Sequence, residues 1–144
     1  LAGLVSSAID GGDPDTVGRT SMAGRVAAMP PWGQVLGAQG VDQVVAYVQQ
    51  LSGQQADATL AAAGKTQFET VCAACHGVDG KGNPLLGSPN LTDDVWLYGG
   101  DAATIKLTLE NGRNGQMPAF GDRLGAERVR LLAAYAMRMS EAGS

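Results

Sequence analysis

The chain has few aromatic side chains, no excess of basic charge and no long apolar run. Aromatic residues make up 5% of its 144 residues, so its side chains alone would build only a thin core. Ten Lys and Arg stand against 14 Asp and Glu, without the dense basic patch that nucleic-acid binding requires. The apolar stretches are too short to cross a bilayer. The opening "LAGLVSSAI" has no basic flank and no initial Met, which indicates an interior fragment rather than a signal peptide.

Cysteine and histidine are also scarce. The two cysteines and the single histidine lie together in "CAACH" at residues 72–76. Two thiols so close in sequence cannot form a disulfide framework. Cys-x-x-Cys-His is the attachment pattern of c-type haem, in which both thiols bond to one porphyrin and the histidine binds the iron. A structural zinc site needs a fourth protein ligand, and thioredoxin-like chemistry needs a β-α-β pattern that is missing. The motif therefore favours one covalently attached haem c, which would also fill the thin core.

The sequence contains an internal repeat with a period of 88 residues. Residues 11–53 align with 99–141 without a gap, at 17 identities in 43 positions, and "MPPWGQVLG" (29–37) recurs as "MPAFGDRLG" (117–125). Only the second copy has a haem motif upstream. The repeat predicts the back half of a first domain over 1–53, a linker and helix start over 54–63, and a complete domain over 64–144. Without its attachment half, the first segment is expected to pack on the second domain, another copy, or residues supplied elsewhere.

Hydrophobic periodicity predicts an all-α protein. Apolar residues at helical spacing and N-capping aspartates mark the helices, and no stretch shows the sustained alternation of a strand. Glycine-rich stretches are typical of loops. The predicted helices cover 38–51, 60–74, 102–110 and 125–139, and the predicted loops cover 77–90 and 111–121.

The second axial ligand has to be a residue other than histidine, because the chain has only one. Met117 follows His76 by 41 residues, at the end of the glycine-rich "NGRNGQ", and we predict that it is the distal ligand. Met29 holds the same position in the first repeat, as an orphan or an alternative axial ligand. His/Met ligation closes both faces of the iron, so it favours electron transfer over catalysis.

Three further segments point to one family: "GKTQFETVCAACHGVDGKG" (64–82), "SPNLTDDVWLYGG" (88–100) and "NGRNGQMPAFGDRLG" (111–125). Together they resemble the dihaem subunit (subunit III, CcoP or FixP) of cbb3-type cytochrome c oxidases, over residues 11–141. The resemblance implies class I cytochrome c-like domains on the periplasmic side of the bacterial inner membrane. It implies that they pass electrons from a soluble donor cytochrome c to other oxidase subunits. In that family a membrane helix anchors the domains, and this sequence contains none.

The resemblance also implies roles for individual residues. Cys72 and Cys75 would be the attachment points, with His76 and Met117 as axial ligands. The carbonyl of Pro89 would accept a hydrogen bond from the His76 ring.

Trp96 and Arg113 are candidate contacts of the haem propionates, with packing and surface charge as the equally weighted alternatives.

An electron-transfer domain that is not an enzyme by itself is therefore the leading hypothesis. The alternatives are a free periplasmic dihaem cytochrome, a gas-sensing or catalytic haem protein, and a metal-binding interaction module.

Overall fold

The computed structural model describes residues 14–83 and 85–142. The first 13 residues of the predicted segment 1–53 lie outside these ranges. The described residues are mainly helical, which confirms the predicted all-α class. In chain order the elements are α1 (Pro14–Ala23), β1 (Arg25–Met29), α2 (Gly33–Leu51), α3 (Ala58–Gln67), a π-helical turn (Phe68–Cys72), α4 (Ala73–His76), α5 (Ala102–Asn111), β2 (Arg113–Met117) and α6 (Gly121–Ala142).

Helices α2 and α6 share a kink that their repeated sequence dictates. Gly37 and Gly125 have φ of 68° and 75°, outside the helical region, and each separates a first turn from the main helix. Side chains rarely adopt positive φ, so glycine is the residue expected at both kinks. The straight parts after the kinks correspond to the predicted helices 38–51 and 125–139.

Helices α3 and α5 each begin at an aspartate. The Asp57 carboxylate accepts hydrogen bonds from the backbone N–H groups of Thr59 and Leu60, at 2.8 and 2.9 Å. The Asp101 carboxylate accepts from the N–H and hydroxyl of Thr104, at 3.0 and 2.6 Å, and these bonds lower the pKa of Asp101. Both carboxylates bind backbone N–H groups that have no partner within the helix.

The two strands correct the expectation of a protein without strands. β1 and β2 pair antiparallel, with Arg25 opposite Met117 and Met29 opposite Arg113. Neither strand is predicted by the sequence, because five residues with alanine or glycine inside show no clear alternation. The loop predicted over 111–121 thus contains β2. Each strand follows a helix of its own repeat, β1 after α1 and β2 after α5.

The two repeats interleave across this strand pair. Helix α2 packs on α3 and α5, whereas α6 packs on α1. Residues of one buried core lie on both sides of the linker predicted over 54–63. The predicted division into two domains rests on the sequence repeat and stays a prediction. The buried core consists of Val41, Val44, Val45, Ala46, Tyr47 and Val48 of α2 with Ala61, Phe68, Cys72, Ile105 and Leu109 of the following segment.

The crossing of α2 and α3 is close. A Cβ on Gly64 would overlap the backbone carbonyl of Gln43. Beside the crossing, the rings of Tyr47 and Phe68 meet edge to face, with centroids 5.2 Å apart. Among residues 14–83 and 85–142, no helix combines the length and apolar character needed to cross a membrane.

Candidate haem-binding site

A cavity of about 240 Å³ lies between the "CAACH" segment, α2, α5 and the end of β1. Its walls are mainly apolar and come from both repeats. Residues 86–91 and 95–99 close another side. The lining residues with a site prediction are Met29, Cys72, Cys75, His76, Pro89, Trp96 and Arg113.

The His76 ring is buried and held by one hydrogen bond. Its Nδ1 lies 3.1 Å from the carbonyl oxygen of Pro89. Burial lowers the pKa of His76, although the bond to Pro89 acts in the opposite direction. Because a carbonyl only accepts, Nδ1 carries the proton, and Nε2 of the neutral ring keeps its lone pair for a metal.

Glycines bring Pro89 within reach of His76. Helix α4 ends at Gly77, whose φ is 79°, and the N–H of Gly82 donates to the His76 carbonyl at 2.7 Å. A Cβ on Gly82 would lie 2.5 Å from the carbonyl oxygen of Ser88 and 2.6 Å from that of Pro89. Only glycine permits this approach.

The two thiols differ in environment. Cys72, at the end of the π-helical turn, is buried, whereas Cys75 is exposed. Burial, with a smaller contribution from Cys75, raises the pKa of Cys72 to about 11. Both side chains line the cavity, one deep and one near its mouth.

Arg113 has fixed partners at the cavity edge. Its Nε and Nη2 donate to the Thr108 hydroxyl at 3.0 and 2.8 Å, and its guanidinium lies 4.1 Å from the centre of the Tyr98 ring. These contacts hold one cation beside an apolar cavity. The indole of Trp96 also lines the cavity and packs on the backbone of Gly100.

The two repeated methionines lie in different places. Met29, at the end of β1, lines the cavity with the cysteines and His76. Met117, the predicted distal ligand, does not. It is buried at 7% exposure and lines a second cavity of about 200 Å³ between α1 and α6. The antiparallel pairing places the two methionines at opposite ends of the strand pair.

The second cavity is lined by repeat counterparts of the first. Met117 corresponds to Met29, and Phe120 corresponds to Trp32. Leu132 and Ala136 likewise hold the positions of Val44 and Val48.

Sequence reasoning missed Tyr98, Thr108 and the α2 side chains of the site. Tyr98 lies in the quoted "WLYGG" beside Trp96, so adjacency was an available signal. Nothing local in the sequence connects α2 to the haem motif.

The residues around the first cavity fit a covalently attached haem. Cys72 and Cys75 are not joined in a disulfide, a fixed imidazole leaves Nε2 for the iron, and the walls are apolar. The thioether of Met29 is the second ligand type that His/Met haem centres use, and the guanidinium of Arg113 is a cation that can pair with a carboxylate at the cavity edge.

Comparison with known proteins identifies the family. The family model "Cytochrome C oxidase, cbb3-type, subunit III" matches residues 59–135. The cbb3-type cytochrome c oxidase subunit CcoP of Cereibacter sphaeroides is 48% identical over 113 residues, covering 77% of this chain and 39% of that protein. FixP of Azorhizobium caulinodans is 46% identical, covering 78% and 39%. CcoP of Rubrivivax gelatinosus is 40% identical, covering 92% and 44%. The chain thus spans about two-fifths of the length of these relatives. As its motifs predicted, the chain belongs to the family of cbb3-type cytochrome c oxidase subunit III.

Proposed function

We propose that this chain transfers electrons through one covalently attached haem c within a cbb3-type oxidase. The carrying observation is that Cys72, Cys75, His76 and Met29 line one apolar cavity. The two thiols would hold the porphyrin by thioether bonds, and His76 and Met29 would bind the iron. The bound haem would supply a one-electron couple between ferric and ferrous iron.

Each of these residues has a separate task. The bond from His76 Nδ1 to Pro89 fixes the ring and leaves Nε2 as the ligating atom. The thioether of Met29 would favour the ferrous state and raise the reduction potential. Arg113, held by Thr108 and Tyr98, would neutralise a propionate at the cavity edge.

With both His76 and Met29 bound, the iron would have no open position for a substrate, which supports electron transfer rather than catalysis by the chain itself. The relatives are named as subunits of cbb3-type cytochrome c oxidases, which supports other oxidase subunits as electron acceptors. A soluble cytochrome c as donor and a location on the periplasmic side of the inner membrane belong to the same proposal.

The choice of Met29 over Met117 rests on the packing of the strands and helices. The sequence alone favours Met117, because both it and His76 belong to the second repeat. Met29 is the methionine that lines the cavity of His76, and it packs against the core that contains Cys72. Met117 faces the α1–α6 cavity.

Two matched variants of the haem-loaded chain test this assignment. Thioether sulfur bound to ferric haem gives a weak red absorption band, hereafter the thioether band. Met29→Ala should abolish this band, lower the reduction potential and open the iron to external ligands such as cyanide. Met117→Ala should leave all three unchanged. The reverse pattern would make Met117 the ligand.

A further inference from the structure

We infer that three positions on α2, Gly40, Asp42 and Gln43, select which methionine reaches the haem site. The inference rests on the proposed ligation by Met29. Helices α2 and α6 compete in principle for one surface, because the repeat gives them the same Met-Pro loop and kink. At these three positions their side chains differ, and each difference opposes docking of α6 beside the haem motif.

The first difference is charge. Asp42 on α2 pairs with Lys106 on α5, with Oδ1 and Nζ 2.6 Å apart. The bond to Asp42 and its charge raise the pKa of Lys106. The counterpart of Asp42 on α6 is Arg130. In the same docked position Arg130 would bring a like charge to Lys106, which is unfavourable.

The second difference is hydrogen bonding. The side-chain amides of Gln43 on α2 and Gln67 on α3 are hydrogen-bonded at a half-buried position. The counterpart of Gln43 is Leu131, which has no polar group to offer. Docking of α6 would leave the Gln67 amide without this partner. The lost hydrogen bond disfavours α6 at this surface and does not affect α2.

The third difference is size. Gly40 is buried, and a Cβ there would lie 2.6 Å from the Gln67 side-chain oxygen. Its counterpart is Arg128. Arginine at this place would displace Gln67 and break the amide pair with Gln43.

The shared residues cannot make this selection. Three of the α2 core residues, Val41, Ala46 and Tyr47, recur unchanged as Val129, Ala134 and Tyr135, so these positions suit either helix. The other three differ in size, because Val44, Val45 and Val48 are replaced by Leu132, Ala133 and Ala136. On the α1 surface, where α6 packs, the counterpart of Lys106 is Gly18. That surface therefore has no cation at this position to repel Arg130.

An exchange of the three residues tests the inference in the full haem-loaded chain. The exchanged chain has G40R, D42R and Q43L on α2 with R128G, R130D and L131Q on α6. In a Met29→Ala background it should regain the thioether band that Met29→Ala alone loses. Adding Met117→Ala should remove the band again. An exchanged chain that keeps its helical circular dichroism but regains no band would overturn the inference.

If the exchanged chain does not fold, a milder pair of variants tests the inference. Lys106→Glu places two carboxylates together and should lower the temperature at which the thioether band disappears on heating. Asp42→Lys in the same chain restores opposite charges and should reverse most of that shift. No reversal would overturn the inference. Failure of the proposed function looks different, because Met29→Ala alone would then keep the band.

Discussion

Helices α2 and α6 have related sequences and lie in different surroundings. Tyr47 on α2 is 8% exposed, and its counterpart Tyr135 on α6 is 64% exposed. Val44 is fully buried, while its counterpart Leu132 is 54% exposed. The neighbours account for this difference, because α2 packs on α3 and α5 whereas α6 packs on α1. A repeated motif thus specifies a local shape, and its environment depends on the partner helix.

The comparison also shows how the first repeat remains ordered. Each apolar side chain buried on folding contributes roughly 1.5–3 kcal/mol. The buried side of α2 gains this contribution from α3 and α5 of the following segment. For the described residues 33–51, the apolar side of α2 therefore packs on helices of the following segment.

The largest expected effect is the loss of haem from the first cavity, which distinguishes it from the second. Replacing Cys72 and Cys75 with alanine removes both thioether bonds, so the chain should lose all covalent haem. Haem staining after a denaturing gel measures this, with Met117→Ala as a control that keeps its stain. Full staining of the double variant would contradict attachment at "CAACH".

The second effect tests the close crossing of α2 with α3, a contact that α6 does not make. Gly64→Ala places a Cβ against the Gln43 carbonyl, and overpacking against backbone should cost about 3 kcal/mol of unfolding free energy. Gly18→Ala on α1 is the control, because a Cβ there meets nothing within 4 Å. Removing glycine from a helix should make that variant more stable by roughly 0.5–1 kcal/mol. Urea denaturation measures both, and equal stabilities would contradict the crossing.

A third, smaller effect compares counterpart residues directly. Val44→Ala removes buried methyl groups and should cost about 1.5–2 kcal/mol. Leu132→Ala deletes a larger side chain, yet it should cost less than about 0.5 kcal/mol because that side chain is half exposed. Similar costs at the two sites, measured by denaturation of the haem-loaded chains, would mean that α2 and α6 are equally buried.

Local signals in the sequence predicted helices where α2, α3, α5 and α6 lie. Asp101, a predicted N-cap, begins a helix because its carboxylate binds a free N–H nearby. Asp57 does the same for α3, where the sequence predicted only a linker and helix start. Glycines at 37 and 125 take positive φ at two kinks that the sequence patterns did not predict. Each of these features depends on residues within one turn of the chain.

Long-range pairing could not be predicted in the same way. β1 and β2 are short and lack alternation, so they are recognisable only once paired. The interleaving depends on contacts such as Asp42 with Lys106, 64 residues apart. The contrast between Asp42 and Arg130 is visible in the sequence, but its meaning requires knowing that Lys106 lies opposite.

Proton contacts of the Phe68 ring, measured by NMR on the reduced, diamagnetic haem-loaded chain, test the interleaving most directly. Phe68 precedes the haem motif and meets Tyr47 edge to face at 5.2 Å between centroids. The structure predicts nuclear Overhauser effects from Phe68 to Tyr47 and none to Tyr135, with Tyr47→Phe and Tyr135→Phe variants assigning the signals. Contacts from Phe68 to Tyr135 would mean that α6 packs beside the haem motif, and Met117 would then be the methionine beside the haem.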